Sequence, residues 1–315
     1  MSKMSILRKK GKPKLRFTNM SKRVINREFK YLKKLILECL KENEDIEKQL
    51  DSYYRRIQIF LFYESTEKNV AESIRAFFND PDMIAPCQPK PAVAVSVKGL
   101  GCIVFFLKHF KEFTEKRNDI VDVEAYHKNG IFEELCHLVE QKGDSSIHPE
   151  SYWQLWNSYR WANKLSAGNE IIDQLDTDRN HYEVYLMVIK AYPIQWIDRC
   201  WKYSMCEGPD YTKMKGKIPI EILHARIIVD TLRSINVQYV INRFPKENIL
   251  DKHKDLLNKL FDTTKKDYDE KKKIIEKELG YGAVSIIDSL PEGIFKTPNI
   301  FFSVILDLWK ALHLI

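Results

Sequence analysis

The chain has 315 residues, 44% of them apolar, with only eleven glycines and a formal net charge of +7. That is enough apolar material for a sizeable core, and the abundance of Lys, Glu, Leu and Ile over Gly leans the composition towards helix. The six cysteines contain no Cys-x-x-Cys pair and several sit in apolar runs, which excludes a disulfide scaffold and points to a reduced, cytoplasmic chain.

The first 27 residues hold ten Lys or Arg and no acid, leaving a net −3 over the remainder. We read residues 1–26 as a basic, disordered tail, and its charges have no apolar run behind them, as a secretory signal would need. The run Arg8-Lys9-Lys10-Gly11-Lys12-Pro13-Lys14-Leu15-Arg16 has the chemistry of a polyanion-binding arm. Neutralising phosphates releases counterions, so non-specific nucleic acid is an expected partner; a lysine-rich terminus that only aids solubility is the alternative.

Residues 27–315 are expected to form a single globular domain, with an α+β half over 27–148 and a helical half over 149–315. Arg27 to Leu50 carries apolar residues at helical spacing. Arg56 to Tyr63 is β-branched and aromatic and reads as a strand; Glu64 to Phe78 returns to helix, stopped by Asn79-Asp80-Pro81. Ala92–Val97 and Cys102–Leu107 flank Lys98-Gly99-Leu100-Gly101, a hairpin signal. Beyond Pro149 the pattern predicts helices over about 151–163, 168–190, 219–235, 246–278 and 298–313, with loops at Cys206–Asp210 and Leu290–Gly293. No apolar run spans a bilayer, because Asp307 and Lys310 interrupt the stretch from Ile300 to Ile315. The alternation of Lys and acids from Lys252 to Lys277 describes a solvated face. The fold class is therefore α+β and predominantly helical.

One segment carries metal-site chemistry. In Asn129-Gly130-Ile131-Phe132-Glu133-Glu134-Leu135-Cys136-His137-Leu138-Val139-Glu140, a carboxylate and an imidazole stand four apart, on one face of a helix, with Glu134 beside them. Glu140, Glu133, His137, Gln141 and Glu134 share one arc of the wheel, and Ile131, Leu135, Leu138, Val139 and Phe132 the other. The arc is either the solvated side of a surface helix or a ligand pair with an adjacent base.

The segment resembles the His-Glu-x-x-His helix of the zincin metallopeptidases, with Glu133 in place of the first histidine. A strand, a helix and a hairpin ahead of it, and a helical half behind it, are similar to the zincin arrangement, in which the active-site helix runs beneath the sheet. The resemblance covers roughly residues 56–190. It implies a zincin-like fold and a divalent metal, zinc or manganese, held by Glu133, His137, Glu170 and Asp173, with Glu134 as general base. Zincins of the glutamate-ligand type take the third ligand from a later helix that carries Asn-Glu with an Asp four residues beyond the Glu; Asn169-Glu170 is similar to its start, and Asp173 falls one residue early. A set with one imidazole and several carboxylates is hard and anionic and suits Mn²⁺ or Mg²⁺ as readily as Zn²⁺. His181 shares a polar stripe with Glu170, Asp173 and Thr177, and His127 and His148 are replacement ligands or plain loop histidines.

Five of the six tryptophans lie between Trp153 and Trp201, and the spacing of Trp153, Trp156 and Tyr159 favours packed core. Cys200 and Cys206 read as buried thiols. No Gly-rich phosphate loop, dinucleotide fingerprint or Gly-x-Ser-x-Gly elbow occurs. Two functions follow: a metal-dependent, peptidase-like hydrolase or its inactive relative, with a protein or peptide substrate and no membrane; or a non-catalytic binding protein that contacts nucleic acid through its tail.

Overall fold

The computed structural model describes residues 14–81, 92–115, 122–144, 148–161, 165–202, 211–244 and 251–312. The chain divides into two compact units, Met1–Ser146 and Ile147–Ile315. The first is α+β and the second helical, so the protein belongs to the predominantly helical α+β class.

The first unit is built on four strands, β1 (Lys14–Asn19), β2 (Arg56–Phe62), β3 (Ala92–Val97) and β4 (Leu100–Phe106), in the order β1-β2-β4-β3. β1, β2 and β4 are parallel, and β3 is an antiparallel edge. β1 corrects the expectation of a disordered tail over 1–26. Leu15 and Phe17 alternate with Arg16 and Thr18 at the period of a strand, a pattern masked by the surrounding charge. Edge strands tolerate such cations, which blunt further pairing. Gln58 of β2 locks the pair, donating from Nε2 to the Arg16 carbonyl at 3.2 Å and to Thr18 Oγ1 at 3.0 Å.

The parallel pairs require crossovers. Between β1 and β2 run α1 (Asn26–Glu42) and α2 (Glu44–Tyr53) in place of one predicted helix. The break falls at Asn43, whose φ/ψ leaves the helical region and whose side-chain amide donates to the Cys39 carbonyl at 2.8 Å. Between β2 and the hairpin lies α3 (Val70–Phe78), shorter than the helix expected from Glu64. Glu67 Oε1 accepts from the backbone N–H groups of Tyr63 and Glu64, and this local turn competes with the helix. Asn79 closes α3 in the left-handed region, as the stop signal predicts.

The hairpin has a two-residue turn in which both Lys98 (φ 48°) and Gly99 (φ 74°) take positive φ, the backbone of a type I′ connection. Phe60, Phe62, Val70, Ile74, Cys102, Val104 and Phe106 form the core between one sheet face and α3. Past the sheet come α4 (Leu107–Glu115) and α5 (Val123–Gln141), and α5 packs against α1, α2, β3 and β4.

The second unit comprises α6 (Glu150–Trp161), α7 (Leu165–Ala191), α8 (Pro193–Lys202), α9 (Tyr211–Met214), α10 (Ile220–Arg243), α11 (Asp251–Leu279), α12 (Tyr281–Asp288) and α13 (Pro298–Ala311), with a 3-10 turn at Glu292–Lys296. α10 is its axis, packed on α7 and α11 and buried almost all round. Tyr182, Trp196, Phe295, Phe301, Phe302 and Trp309 fill the core. The tryptophan cluster divides: Trp196 is buried, whereas Trp153 is 42% exposed. α13 buries Phe301, Phe302, Ile305, Leu306, Leu308 and Trp309 and exposes Asp307 and Lys310, the amphipathic pattern expected of it. Among the described residues no helix is long and apolar enough to cross a membrane.

Candidate metal centre

α5 begins at Asp122, whose Oδ1 accepts from the Ala125 N–H at 2.9 Å, and ends at Lys142 in the left-handed region. The next residue, Gly143 (φ 90°), has no room for a Cβ, which would meet the Tyr53 carbonyl oxygen at 3.0 Å. Tyr54 ties this end down. Its hydroxyl donates to the Leu138 carbonyl at 2.5 Å and accepts from the Gly143 N–H at 3.1 Å, and burial pushes the phenol up to about 12. The Gly143 carbonyl in turn accepts from Gly99 N–H of the hairpin turn at 2.8 Å. The helix is therefore capped at its start and tied to other elements at its end, as suits a ligand-bearing element.

Its polar arc is not a solvated face. Glu133 is only 4% exposed, and Glu134, His137, Glu140 and Gln141 are half-buried. Gln141 Nε2 donates to the Ala94 carbonyl of β3 at 3.1 Å, so the arc ends against the edge strand. The four-residue spacing brings Glu133 and His137 together, with a carboxylate oxygen and a ring nitrogen within 4.8 Å of each other. A carboxylate so buried costs several kcal/mol (on the order of 3 or more) unless a cation or hydrogen-bond donors compensate it. An oxygen donor beside an imidazole is a donor pair that zinc or manganese accepts. The residues present thus fit a divalent ion on chemical grounds.

Glu170 and Asp173 lie on α7, in the second unit, and their side chains lie outside the described residues. Further along α7, His181 is half-buried, and its Nδ1–H donates to the Thr177 carbonyl at 2.6 Å. A carbonyl only accepts, so the ring's lone pair is on Nε2, the tautomer that histidine ligands adopt. The tail residues Arg8–Lys12 and the Cys206–Asp210 loop are also outside the described residues.

The two reserve histidines have structural surroundings. His127 stacks on Phe110 at 4.6 Å, and Tyr31 Oη hydrogen-bonds its Nδ1 at 3.1 Å; burial, with a smaller push from Lys111, depresses the ring to about 4. His148 stacks on Tyr152 at 4.0 Å. Cys200 is buried, as expected of it, together with Cys39, Cys102 and Cys136.

A charged cluster that no motif announces lies where α10 meets α7 and α11. Asp178 accepts from Arg233 Nε at 3.1 and 3.2 Å, Tyr211 donates to Asp230 at 2.8 Å, and buried Lys271 donates to Asp267, Ser234 and the Asp230 carbonyl. Its members are ordinary helical Asp, Lys, Arg, Ser and Tyr, and the stretch that holds Asp267 and Lys271 reads in sequence as a solvated face. No protein-family model, curated protein or solved structure matches the chain.

Proposed function

We propose that the protein is a metal-dependent hydrolase of zincin type, with Glu133 and His137 as metal ligands and Glu134 as general base. The observation that carries this reading is the burial of Glu133 one turn from His137, on a helix anchored under the sheet. The order of β2, α3, the β3–β4 hairpin and the motif helix supports it. Glu133 and His137 would hold a divalent ion through oxygen and nitrogen, and such an ion would lower the pKa of a water and polarise a carbonyl. Glu134, half-buried on the next position, takes the water proton on its carboxylate and returns it to the leaving amine of a peptide-like substrate.

The test is metal content of untagged, full-length protein after incubation with Zn²⁺ or Mn²⁺. Near-stoichiometric metal is expected, lost in Glu133→Gln and His137→Ala. Ligand excess of a hundredfold over Kd would also stabilise the wild type by about 2.7 kcal/mol in denaturant titrations. Glu134→Gln should keep the metal and lose peptide hydrolysis by roughly 10²–10⁴-fold. Metal without hydrolysis in the wild type identifies an inactive relative; no metal in the wild type ends the reading.

A further inference from the structure

The outward face of α1 is chemically unlike a solvated helix face. Leu32, Leu35, Ile36, Cys39 and Leu40 fill its inner side. On the outer side Arg27, Lys30, Lys33, Lys34 and Lys41 are exposed, with Leu37, 45% exposed, among them. Solvated helices usually intersperse the two signs, as α11 does.

Of the acids of α1, Glu28 and Glu42 are engaged by other elements, and Glu38 alone reaches into this row, where it pairs with Lys34. Glu28 pairs with Lys111 of α4. Glu42 accepts from Lys128 of α5 at 2.8 Å. Glu38 sits 3.3 Å from the same Lys128 and 3.5 Å from Lys34. Among the described residues Arg27, Lys30 and Lys41 form no ion pair, and the Lys33 ammonium lies over the Phe17 ring of β1 at 5.2 Å. Lys30, Lys33, Lys34, Leu37, Glu38 and Lys41 line a shallow, open depression of about 390 Å³.

We propose that this face of α1 binds the phosphate backbone of nucleic acid, without reading sequence. From Lys30 to Lys41 the row spans about 16 Å at 1.5 Å per residue, with Lys33 and Lys34 one turn beyond Lys30 and Lys41 two turns beyond Lys34. A rigid row of cations, of which only Lys34 has an acidic partner among the described residues, matches a rigid row of phosphates, and each contact releases condensed counterions. A membrane surface is the poorer match, because an interfacial helix needs a broad apolar face and Leu37 is the only large apolar residue among these cations. The site is distinct from the N-terminal basic run, although Arg8, Lys9, Lys10 and Lys12 precede β1 in sequence and Phe17 of that strand touches the row.

The experiment measures binding of a short labelled DNA duplex to the full-length protein over a salt series. The triple variant Lys30→Ala, Lys33→Ala, Lys41→Ala keeps good helix formers at exposed positions, so α1 should persist, and circular dichroism checks it. Its log K against log[salt] slope should be shallower by about 2.7, or about 0.9 per lost phosphate contact. Lys259→Ala, Lys265→Ala, Lys273→Ala, exposed on α11, changes net charge equally and should leave the slope as in the wild type. The proposal is overturned by any of three results. The first is an α1 variant with the wild-type slope, or one no shallower than the α11 control. The second is a slope carried wholly by Arg8, Lys9, Lys10 and Lys12. The third is a protein that sediments with anionic vesicles but ignores the duplex.

Discussion

His127 shows how a single side chain changes meaning between sequence and structure. As a lone histidine ten residues before His137 it reads as a spare ligand or a loop residue. In the fold it is 8% exposed, stacked on Phe110 and bonded to Tyr31. Burial disfavours the imidazolium and takes the ring from its ordinary 6.5 to about 4. A depressed folded pKa means the unfolded chain binds the proton more readily. The stability this group contributes is therefore complete above pH 6.5 and is lost as pH falls towards 4, amounting to on the order of 3 kcal/mol. Urea titrations between pH 7 and pH 4.5 should show the wild type losing more stability than His127→Gln across that window. Equal losses would mean the ring is protonated in the fold. Glu133 is the parallel case: its type and spacing were legible, but its burial was not, because a helical wheel records which residues share an arc and not what covers them.

Elements were legible where one period or one turn chemistry dominated. The Lys98-Gly99 hairpin, the Asn79 stop, α10 and α13 follow from such signals. β1 was hidden because Arg and Lys dilute a period-two pattern of only two apolar residues, and α2 because Asn43 breaks the helix without a Gly or Pro to mark it. Lys271 was hidden for a different reason. In an alternation of Lys and acids every lysine looks solvated, yet this one is 3% exposed and bonded to Asp267 at 2.5 Å. Removing one partner of a buried pair strands the other, whereas replacing both by apolar groups does not. Lys271→Met should therefore cost about 3 kcal/mol, and Lys271→Met with Asp267→Leu should recover most of that loss. A double variant as unstable as the summed single ones would show that the pair is not energetically coupled.

At the scale of the molecule, the segregation of charge and the carboxylate–imidazole pair of one helix were both readable, but their placement was not. Ten cations in the first 27 residues suggested that all polyanion affinity belongs to a tail, and the fold instead puts more cations on a rigid helix. Within the first unit α1 stands between two chemistries, since its inner face packs on α5 and its lysines point the other way. A helix is roughly 10–12 Å across, and the screening length in the solvent outside it is about 8 Å at physiological salt. The lysine row is exposed, so water and counterions on that face would screen it from an ion held by Glu133 and His137, leaving little coupling free energy between the two ligands. Stripping the protein with a chelator and restoring Zn²⁺ at trace concentration should leave duplex affinity within about twofold, whereas a tenfold change would require about 1.4 kcal/mol of coupling. Because such coupling is reciprocal, saturating the protein with duplex should leave its metal affinity equally unmoved. Linked changes in both titrations would instead mean that α1 shifts on α5 when either ligand binds, and the two chemistries would then belong to one switch.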